Sequence, residues 1–433
     1  MRKPATLLLS ALLAGIAGGA PARADAPPEP LSLDRAVALA LARNPGYLAT
    51  HADVVAAGAG LRAAAGPKVP VVALRDDFAY ATPVAELSTP FGALPFSSTT
   101  TTNVPQLTVR YSLFDGGRTA AAVSRAAAAL AAADARERAA RMALIDATIT
   151  AYFDLVAAFQ SAAVGDRAVD VAQAHLSDAQ HLFDAGQVPH ADVLRARTEL
   201  ANERMRSLIA HDAVALAQTR LDDAIGAGLG DLHQPTDALD AAAPDMALRT
   251  LLDSAPASRG DVAAARAALD AAGDALREAR AAREPRIDAV VVDGNVQPAV
   301  ASGYRNQFSV GLDAVWTLFD NGTGAGDVAA ARAGIARARL DLERQERDAE
   351  LQVRQAYLQF VDAKARVAAS QTLVALADEN VRLAAVRYRG GVGTLLELQD
   401  AELRATSARQ ELIAAQVAVR EGIVHVRFAA GLL

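Results

Sequence analysis

Two long stretches of the chain repeat apolar residues about every 3.5 positions, which predicts long coiled-coil helices. Neither residues 118–183 nor residues 325–388 contain a proline. At about 1.5 Å per residue each stretch would form a helix about 100 Å long, far longer than the helices of ordinary globular domains. We call these repeated apolar positions the seam of each helix. Many seam positions are alanines, which let neighbouring helices approach closely. The second seam consists of Ala349, Val353, Ala356, Phe360, Ala363, Val367, Ser370, Val374, Ala377, Val381, Ala384 and Tyr388.

Shorter stretches before each long helix alternate apolar and polar residues, which predicts β-strands. In the first half of the chain Leu107, Val109, Tyr111 and Leu113 share one face, and the alternation returns in the second half. We predict four strands, at about residues 69–80, 104–114, 286–296 and 306–319. The segments 81–103 and 297–304 carry prolines and other turn-forming residues and are predicted to be loops.

The four predicted strands leave two architectures open. An open sheet with one apolar face has unpaired edges, so a soluble protein would cover that face with helices in an α+β fold. A membrane protein can turn the face toward lipid only if the edges close into a barrel. Three chains of four strands would supply twelve strands, enough for a transmembrane barrel. The long helices likewise fit either the wall of a hollow α-helical barrel or a coiled-coil hairpin without a lumen.

The chain contains two copies of one plan. Residues 111–117, Tyr-Ser-Leu-Phe-Asp-Gly-Gly, recur at 316–322 as Trp-Thr-Leu-Phe-Asp-Asn-Gly, an offset of 205 residues. We therefore divide the mature chain into a first repeat, residues 25–230, and a second repeat, residues 231–433. Each repeat has a first helix, two strands, a long helix and a shorter helix. The long helices are predicted at about 117–184 and 325–389, and the shorter ones at about 190–226 and 395–431.

The first residues form a predicted secretory signal peptide, residues 1–24. Arg2 and Lys3 precede a short apolar run, and Ala22-Arg23-Ala24 is a small-residue cleavage signal. A membrane anchor is the alternative, but the apolar run is too short to cross a bilayer as a helix. The mature protein is therefore expected beyond the inner membrane.

Composition narrows the class of protein. Hydrophobic residues make up 52% of the chain, aromatics 4% and charged residues 21%; this alanine-rich mixture is typical of long, closely packed, exposed helices. After the first residues no stretch of about 20 apolar residues is free of charge, which argues against a multi-span inner-membrane protein. A net charge of −7 argues against nucleic acid as a partner. The absence of cysteine excludes disulfides, thiolate metal sites and a lipid-modified N-terminal cysteine.

Catalytic chemistry is not indicated by the sequence. None of the seven histidines has the spacing of a metal-binding motif such as H-E-x-x-H, and most are expected at solvated helix positions. No nucleophile has a base at a plausible spacing. We therefore predict no enzyme activity, no catalytic residue, no cofactor and no metal site.

Each long helix ends in an aromatic residue and a glycine turn, with Gly186 in the first repeat and Gly391 in the second. Glycine accepts the left-handed conformation that ends a helix. The next helices begin near Asp192 and Glu397, and Asp400 shares a helical face with Glu397. These carboxylates have two possible roles. They stabilise the start of a helix, or, repeated in three chains, they form a ring that narrows a pore.

Together these motifs resemble the TolC or outer-membrane efflux protein family. The strand, Leu-Phe-Asp, glycine and long-helix plan carries the resemblance, with Phe183-Asp-Ala-Gly186 and Asn44-Pro45, over residues 31–433. The resemblance implies a mainly α chain with a small β part that forms a homotrimer. In that trimer twelve strands form a transmembrane β-barrel in the outer membrane, and the long helices form a coiled-coil α-barrel through the periplasm. It implies no catalysis and no cofactor.

The resemblance also implies partners and site residues. The family supplies the passive exit duct of tripartite efflux and type I secretion systems. It works with a periplasmic adaptor and, through it, an inner-membrane pump, and exports small molecules or proteins. By position, Glu397 and Asp400 match acidic residues of the periplasmic aperture, with Asp192 as the first-repeat counterpart, and the two glycine turns match adaptor contacts. The family pattern has a basic residue where this chain has Gly393, and drug-efflux members often carry a lipidated cysteine, which is absent here.

A periplasmic adaptor with a coiled-coil hairpin is the alternative function. An adaptor would have one helical hairpin flanked by β-rich segments, whereas the sequence indicates two hairpins and few strands. A secreted enzyme on a helical scaffold is a third hypothesis, but no site supports it. The sequence does not indicate the cargo, the pump, the resting state of the duct or the ion preference of its lumen.

Overall fold

A computed structural model describes residues 29–81, 84–90, 92–97, 100–228, 233–240, 244–296 and 305–433. The predicted signal peptide, residues 1–24, and the predicted loop at 297–304 lie outside the described residues. The helices are α1 Leu33–Arg43, α2 Pro45–Ala65, α3 Arg118–Asp184, α4 His190–Ile225, α5 Leu248–Ser258, α6 Gly260–Ala281, α7 Thr323–Arg389 and α8 Leu395–Ala430. The strands are β1 Glu29–Leu31, β2 Val71–Ala81, β3 Val84–Thr89, β4 Gly92–Ser97, β5 Thr100–Phe114, β6 His233–Pro235, β7 Arg286–Val296 and β8 Arg305–Val315.

The two halves of the chain have matching long helices. Helices α3 and α7 each contain 67 residues, and α4 and α8 each contain 36. Both pairs begin 205 residues apart, at the offset found in the sequence. One helix in the described part of the chain, α3, is long and apolar enough by composition to cross a membrane. A single such helix is weak evidence for a membrane span, because the alanine-rich core helix of a soluble protein has the same composition.

The repeated Leu-Phe-Asp motif makes the turn from strand to long helix. The carboxylate of Asp115 accepts hydrogen bonds from the N–H groups of Gly117 at 2.9 Å and Thr119 at 2.7 Å. In the second repeat Asp320 accepts from Gly322 at 3.0 Å and from the N–H two residues further on at 2.7 Å. Free N–H groups at a helix start are satisfied in this way. The N-cap residues Gly117 and Gly322 have φ of 88° and 87°, and this left-handed backbone conformation favours glycine.

The main sheet joins the strands of both repeats. Its order is β2-β5-β7-β8, and every neighbouring pair is antiparallel. The register aligns Val72, Val109, Val291 and Val310 in one row across the four strands. Val72 is 64% exposed and Val310 is 67% exposed. The apolar face predicted from the alternation is therefore uncovered in the single chain, contrary to the alternative of a sheet covered by helices.

Two predicted boundaries in the β part are wrong. Residues 81–103 were expected to form a loop, but β3 and β4 pair with each other as a hairpin, and β5 begins at Thr100. β3 and β4 pair as a hairpin, so each is an edge strand. Proline, which has no N–H to donate to a further strand, is tolerated there. Strand β8 was expected to reach residue 319 but ends at Val315. Its partner β7 begins opposite that residue, at Arg286, so β7 does not extend far enough to pair with the residues that follow Val315.

The long helices pack as a layer rather than around one central core. Helix α3 packs along α4 and α8, α8 packs along α7, and α6 packs between α3 and α7. Buried apolar side chains in the described part form separate clusters along the length of this layer. All twelve predicted seam positions of α7 are buried or half-buried. At the corresponding positions of α3, 205 residues earlier, the side chains from Leu144 to Ala179 are buried or half-buried, but Phe183 is exposed.

A polar network fastens the short sheet of β1 and β6 to the middle of α3. The buried Tyr152 hydroxyl lies 2.6 Å from Oδ2 of Asp237 and 2.9 Å from the carbonyl oxygen of Leu31. It also accepts a hydrogen bond from the N–H of Thr236 at 3.2 Å. Burial, followed by the hydrogen bond with Asp237, raises the pKa of Tyr152 to about 12. The hydroxyl therefore stays protonated and joins the N-terminal strand to the connection between the repeats.

Candidate functional site

The ends of α3 and α7 form two similar glycine turns. Gly186 has φ +70° and Gly391 has φ +72°, the left-handed conformation expected from the sequence. In the first turn the N–H of Gly186 donates to Phe183 at 2.8 Å, and the next N–H donates to Leu182 at 2.8 Å. The second turn repeats both bonds, from Gly391 and Val392, at 3.0 Å. This pair of bonds is the Schellman motif, which satisfies the free carbonyls of a helix end.

The two turns lie together at one end of the molecule, which we call the tip. An apolar cluster drawn from both repeats holds them in contact. Its buried members are Ala179, Val193, Ala196, Tyr388, Leu395 and Leu398. The α3–α4 hairpin and the α7–α8 hairpin are therefore packed against each other at the tip, although the two turns are 205 residues apart in the sequence.

The carboxylates predicted for an aperture differ in their surroundings. The side chains of Glu397 and Asp400 are 54% and 53% exposed, whereas that of Asp192 is 20% exposed. The N–H of Glu397 is capped by the hydroxyl of Thr394 at 3.2 Å. The Glu397 carboxylate lies in the first turn of α8, where a negative charge complements the helix dipole, and Asp400 lies beyond the first turn. Helix-start stabilisation therefore applies to Glu397 but not to Asp400.

Each of these carboxylates has an arginine of the same chain beside it. Asp400 lies 2.8 Å from Arg404, one turn further along α8. Glu397 lies 3.9 Å from Nε of Arg387, near the end of α7. Both pairs are exposed, so water and salt screen them strongly. The acidic pair can therefore change partners at little cost in free energy.

Gly393 departs from the family pattern for a steric reason. A Cβ atom at this position would stand 2.9 Å from Cβ of Arg387 and 3.1 Å from the backbone N of Tyr388. A long basic side chain does not fit that space without moving the end of α7. Arg387 instead brings a positive charge to Glu397 from the preceding helix. Arg387 thus gives Glu397 a weak ion pair that residue 393 does not supply.

Tyr388 is a tip residue that the functional analysis of the sequence missed. Its side chain is buried between the hairpins, and its hydroxyl has no hydrogen-bond partner among the described residues. Burial raises the pKa of Tyr388, and the carboxylates of Asp192 and Asp178 raise it further. Its place at the end of the predicted seam was the only sequence signal, and that signal indicated packing. Within the described residues no group of three or more acidic, histidine or cysteine side chains could hold a metal ion.

A comparison with protein families decides what this architecture is. The family model described as outer membrane efflux protein matches residues 36–227 and 251–432. The chain belongs to the outer membrane efflux protein family. The two matched blocks fall in the two repeats, and the family is one of transport channels rather than enzymes. Membership places the chain in the outer membrane with an extension into the periplasm, and it favours the channel over the periplasmic adaptor.

Solved structures of outer-membrane channels have the same fold. The chain is similar to the outer-membrane channel OprN, with a TM-score of 0.77, 22% identity, and coverage of 92% of this chain and 89% of that one. For the Campylobacter jejuni CmeC outer membrane channel the TM-score is 0.81, with 18% identity over 92% and 85%. For the open state of the Neisseria gonorrhoeae MtrE outer membrane channel it is 0.75, with 20% identity over 92% and 89%. None of the curated proteins matches. At these identities the likeness supports a shared fold.

Proposed function

We propose that three copies of this chain assemble into the passive exit duct of a tripartite efflux or type I secretion system. The observation that carries the proposal is that one chain leaves both its sheet and its helical layer unfinished. A closed duct across membrane and periplasm needs identical neighbours on both sides.

The sheet supports closure by sister chains. Strands β2 and β8 are its edges, and each pairs with one strand in the described part of the chain. Unpaired backbone groups are not tolerated in contact with lipid, so a membrane sheet must close. Leu74 and Leu312 on these edge strands are 76% and 72% exposed, as expected of residues that face lipid. Three four-stranded sheets give a twelve-stranded barrel, within the range of such barrels.

The outermost long helices support the same assembly. Helix α4 packs mainly on α3, and α7 packs mainly on α8 and α6, so α4 and α7 lie at opposite edges of the layer. Both carry exposed apolar stripes. The stripe of α4 includes Met205, Leu208, Ile209 and Leu216, and that of α7 includes Leu351, Leu358, Leu373, Leu376 and Leu383. Exposed apolar stripes of this kind indicate protein contacts, and α7 of one copy against α4 of the next would bury both and close a ring.

The tip supports an aperture with a preference for cations. In three copies Glu397 and Asp400 would give six exposed carboxylates, and Asp192 would add three that are less exposed. A ring of carboxylates attracts cations and repels anions at a narrow passage. The glycine turns at Gly186 and Gly391 are at the outer end of the tip, where a periplasmic adaptor would contact the duct. Through that adaptor an inner-membrane pump would supply the cargo, small molecules or proteins.

Conductance of the reconstituted protein tests the proposal. The full mature chain in a planar lipid bilayer should form channels that conduct cations better than anions. The double variant Glu397→Gln, Asp400→Asn should reduce the cation preference without abolishing the channel. Glu350→Gln is the matched control, because it also lies one turn from an arginine on an exposed helix face but is far from the tip in sequence. A chain that forms no channel would contradict the proposed duct. Tip variants with the same ion preference as the control would contradict the proposed aperture.

A further inference from the structure

Histidines join separate elements of the helical layer through carboxylates. Within the described residues the pairs are His51–Glu137, His175–Glu402, His211–Asp166, His233–Asp222 and His425–Asp146. Two of them, His175–Glu402 and His425–Asp146, connect α3 of the first repeat with α8 of the second. The pair with His175 is closer to the tip. The sequence predicted solvated positions for most of the histidines, and His175, with a side chain only 17% exposed, is not one of these.

The pair of His175 and Glu402 crosses the line of contact between the two hairpins. Nε2 of His175 lies 2.5 Å from Oε1 of Glu402, and the glutamate side chain is 22% exposed. His175 lies nine residues before the end of α3, and Glu402 lies seven residues after the start of α8. The pair is therefore within about three helical turns of the glycine turns. Separation of the hairpins at the tip would have to lengthen or break this contact.

Incomplete packing beside the pair makes the polar contact more important. A cavity of about 150 Å³ lies between α3, α4 and α8, with His175 and Glu402 in its lining. Apolar contact across this part of the wall is reduced by the cavity. The tip cluster lies on one side of it, nearer to the turns. The histidine–glutamate pair thus supplies a directional link between the hairpins beside this cavity.

We propose that His175 and Glu402 form a proton-dependent latch that holds the α3–α4 and α7–α8 hairpins together above the tip. The latch rests on the proposed duct function, because it would control how readily the periplasmic end opens. When His175 is protonated, its Nε2–H donates a charge-assisted hydrogen bond to the Glu402 carboxylate. When it is neutral the contact keeps a hydrogen bond but loses the attraction of opposite charges. The hairpins then separate more easily.

The charged groups around His175 favour the protonated form. On its own helix Asp178 attracts the imidazolium, and Arg167 lines the same cavity. The other charged lining groups are Glu199 and Glu203 on α4, and Glu402 and Arg409 on α8; α7 contributes Val381, which is uncharged. Part of this charge is already compensated. Arg409 pairs with Asp378 at 2.6 Å, and Glu203 pairs with Arg206. Glu402 therefore provides the direct partner for the imidazolium.

The direction of the pH dependence follows from this environment. The hydrogen bond to Glu402 raises the pKa of His175 above its ordinary value of 6.5, although burial opposes the rise. A raised pKa in the latched state means that protonation favours the latch. The stabilisation of the latched state by protonation is fully present at a pH below the ordinary pKa of histidine. It is lost as the pH rises through the raised pKa of His175. Each unit of difference between the latched and released pKa changes the opening equilibrium by about tenfold.

Single-channel recording of the reconstituted full chain tests the latch. Wild type should open less often at about pH 6 than at about pH 8. The variant His175→Gln should lose most of this difference, because it cannot become charged in either state. His211→Gln is the matched control: it removes a histidine–carboxylate pair that joins α3 to α4 within one hairpin. Equal pH profiles for wild type and His175→Gln would overturn the latch.

A second measurement does not require a conducting channel. The chain has no cysteine, so Ala196→Cys provides a single thiol at the contact between the hairpins. Ala196 is buried, lines the cavity and belongs to the apolar cluster drawn from both hairpins. The alkylation rate of this cysteine is measured at each pH with His175 present and with His175→Gln. Because the thiol ionises equally in both proteins, the ratio of the two rates does not depend on its ionisation. The ratio of variant to wild-type rates should exceed one at about pH 6 and fall toward one at about pH 8. A ratio that does not change with pH would contradict the latch, whereas a silent bilayer would contradict only the proposed duct.

Discussion

Two glycines of α6 provide a sharp test of how closely the helices of the wall approach each other. Gly260 faces α3, and a Cβ atom there would stand 2.8 Å from the backbone N of Ala139 and closer still to the carbonyl oxygen of Ala135. Both neighbours are backbone atoms, so α3 or α6 must move to admit a methyl group. Gly273 lies in the same helix, and a Cβ atom there would meet nothing within 4 Å.

The two alanine substitutions should therefore have opposite effects on stability. Overpacking against a rigid backbone costs about 1–3 kcal/mol, and the close approach at Gly260 favours the upper part of that range. Gly273→Ala removes a flexible residue from a helix interior and should stabilise each chain by about 0.5–1 kcal/mol. The two variants should thus differ by about 2–4 kcal/mol per chain.

Thermal unfolding of the purified protein in detergent measures this difference. Helical circular dichroism should show a lower melting temperature for Gly260→Ala than for wild type, and a slightly higher one for Gly273→Ala. The oligomer in unboiled samples on a gel should disappear at correspondingly shifted temperatures. An equal increase in melting temperature for both variants would refute the close contact between α3 and α6.

Two further substitutions test the connections around the wall. Tyr152→Phe removes the buried hydroxyl beside Asp237 and Leu31 and should cost about 1–3 kcal/mol in thermal or denaturant unfolding. The exposed Tyr80→Phe is its control, and equal stability of the two variants would contradict the network. Asp320→Asn weakens the acceptor for the N–H groups at the start of α7. Hydrogen bonds from the N–H groups of Gly324 and Gly322, in that order of size, lower the pKa of Asp320 below 3.8. The variant should melt below wild type at neutral pH, and the gap should close as the pH falls through that lowered pKa; a gap that persists in acid would contradict this role.

The long helices could be predicted from sequence because their pattern is local and repeated. A period of 3.5 residues over ten or more turns, without proline, specifies a coiled-coil helix strongly. The seam residues of α7 are buried or half-buried accordingly. Phe183 is the exception: its ring packs near that of His190, at 5.2 Å between centroids, yet it stays 36% exposed, whereas its counterpart Tyr388 is buried in the tip cluster. The seam pattern specifies the face of a helix but not where its partner ends.

The β part was harder to predict because pairing is set by other strands. The end of β8 depends on where β7 begins, and no local property of residues 316–319 indicates it. The β3–β4 hairpin was missed because Pro90 and Pro95 suggested a loop. In the structure Pro90 lies in the turn, and Pro95 lies opposite Glu86 in a two-stranded ribbon. Proline is compatible with such edge strands.

The tip was predictable in its turns but not in its pairings. Glycine at a helix end specifies a left-handed turn from the sequence alone, and Gly186 and Gly391 adopt it. The contacts of Tyr388 and of His175 with Glu402 join residues more than 190 positions apart. Such contacts depend on how the two repeats pack against each other. A single sequence does not specify that packing. The departure at Gly393 likewise has its explanation in the neighbouring end of α7.

The number of chains in the membrane-extracted particle tests the central claim most directly. Native mass spectrometry of the mature protein, extracted from outer membranes in mild detergent, counts them without assumptions about shape. The account predicts three identical chains in each particle, since a four-stranded sheet and an open helical layer must both be closed by sister copies. A stable particle of one chain, with the row of Val72 and Val310 protected from solvent and lipid by its own helices, would contradict it.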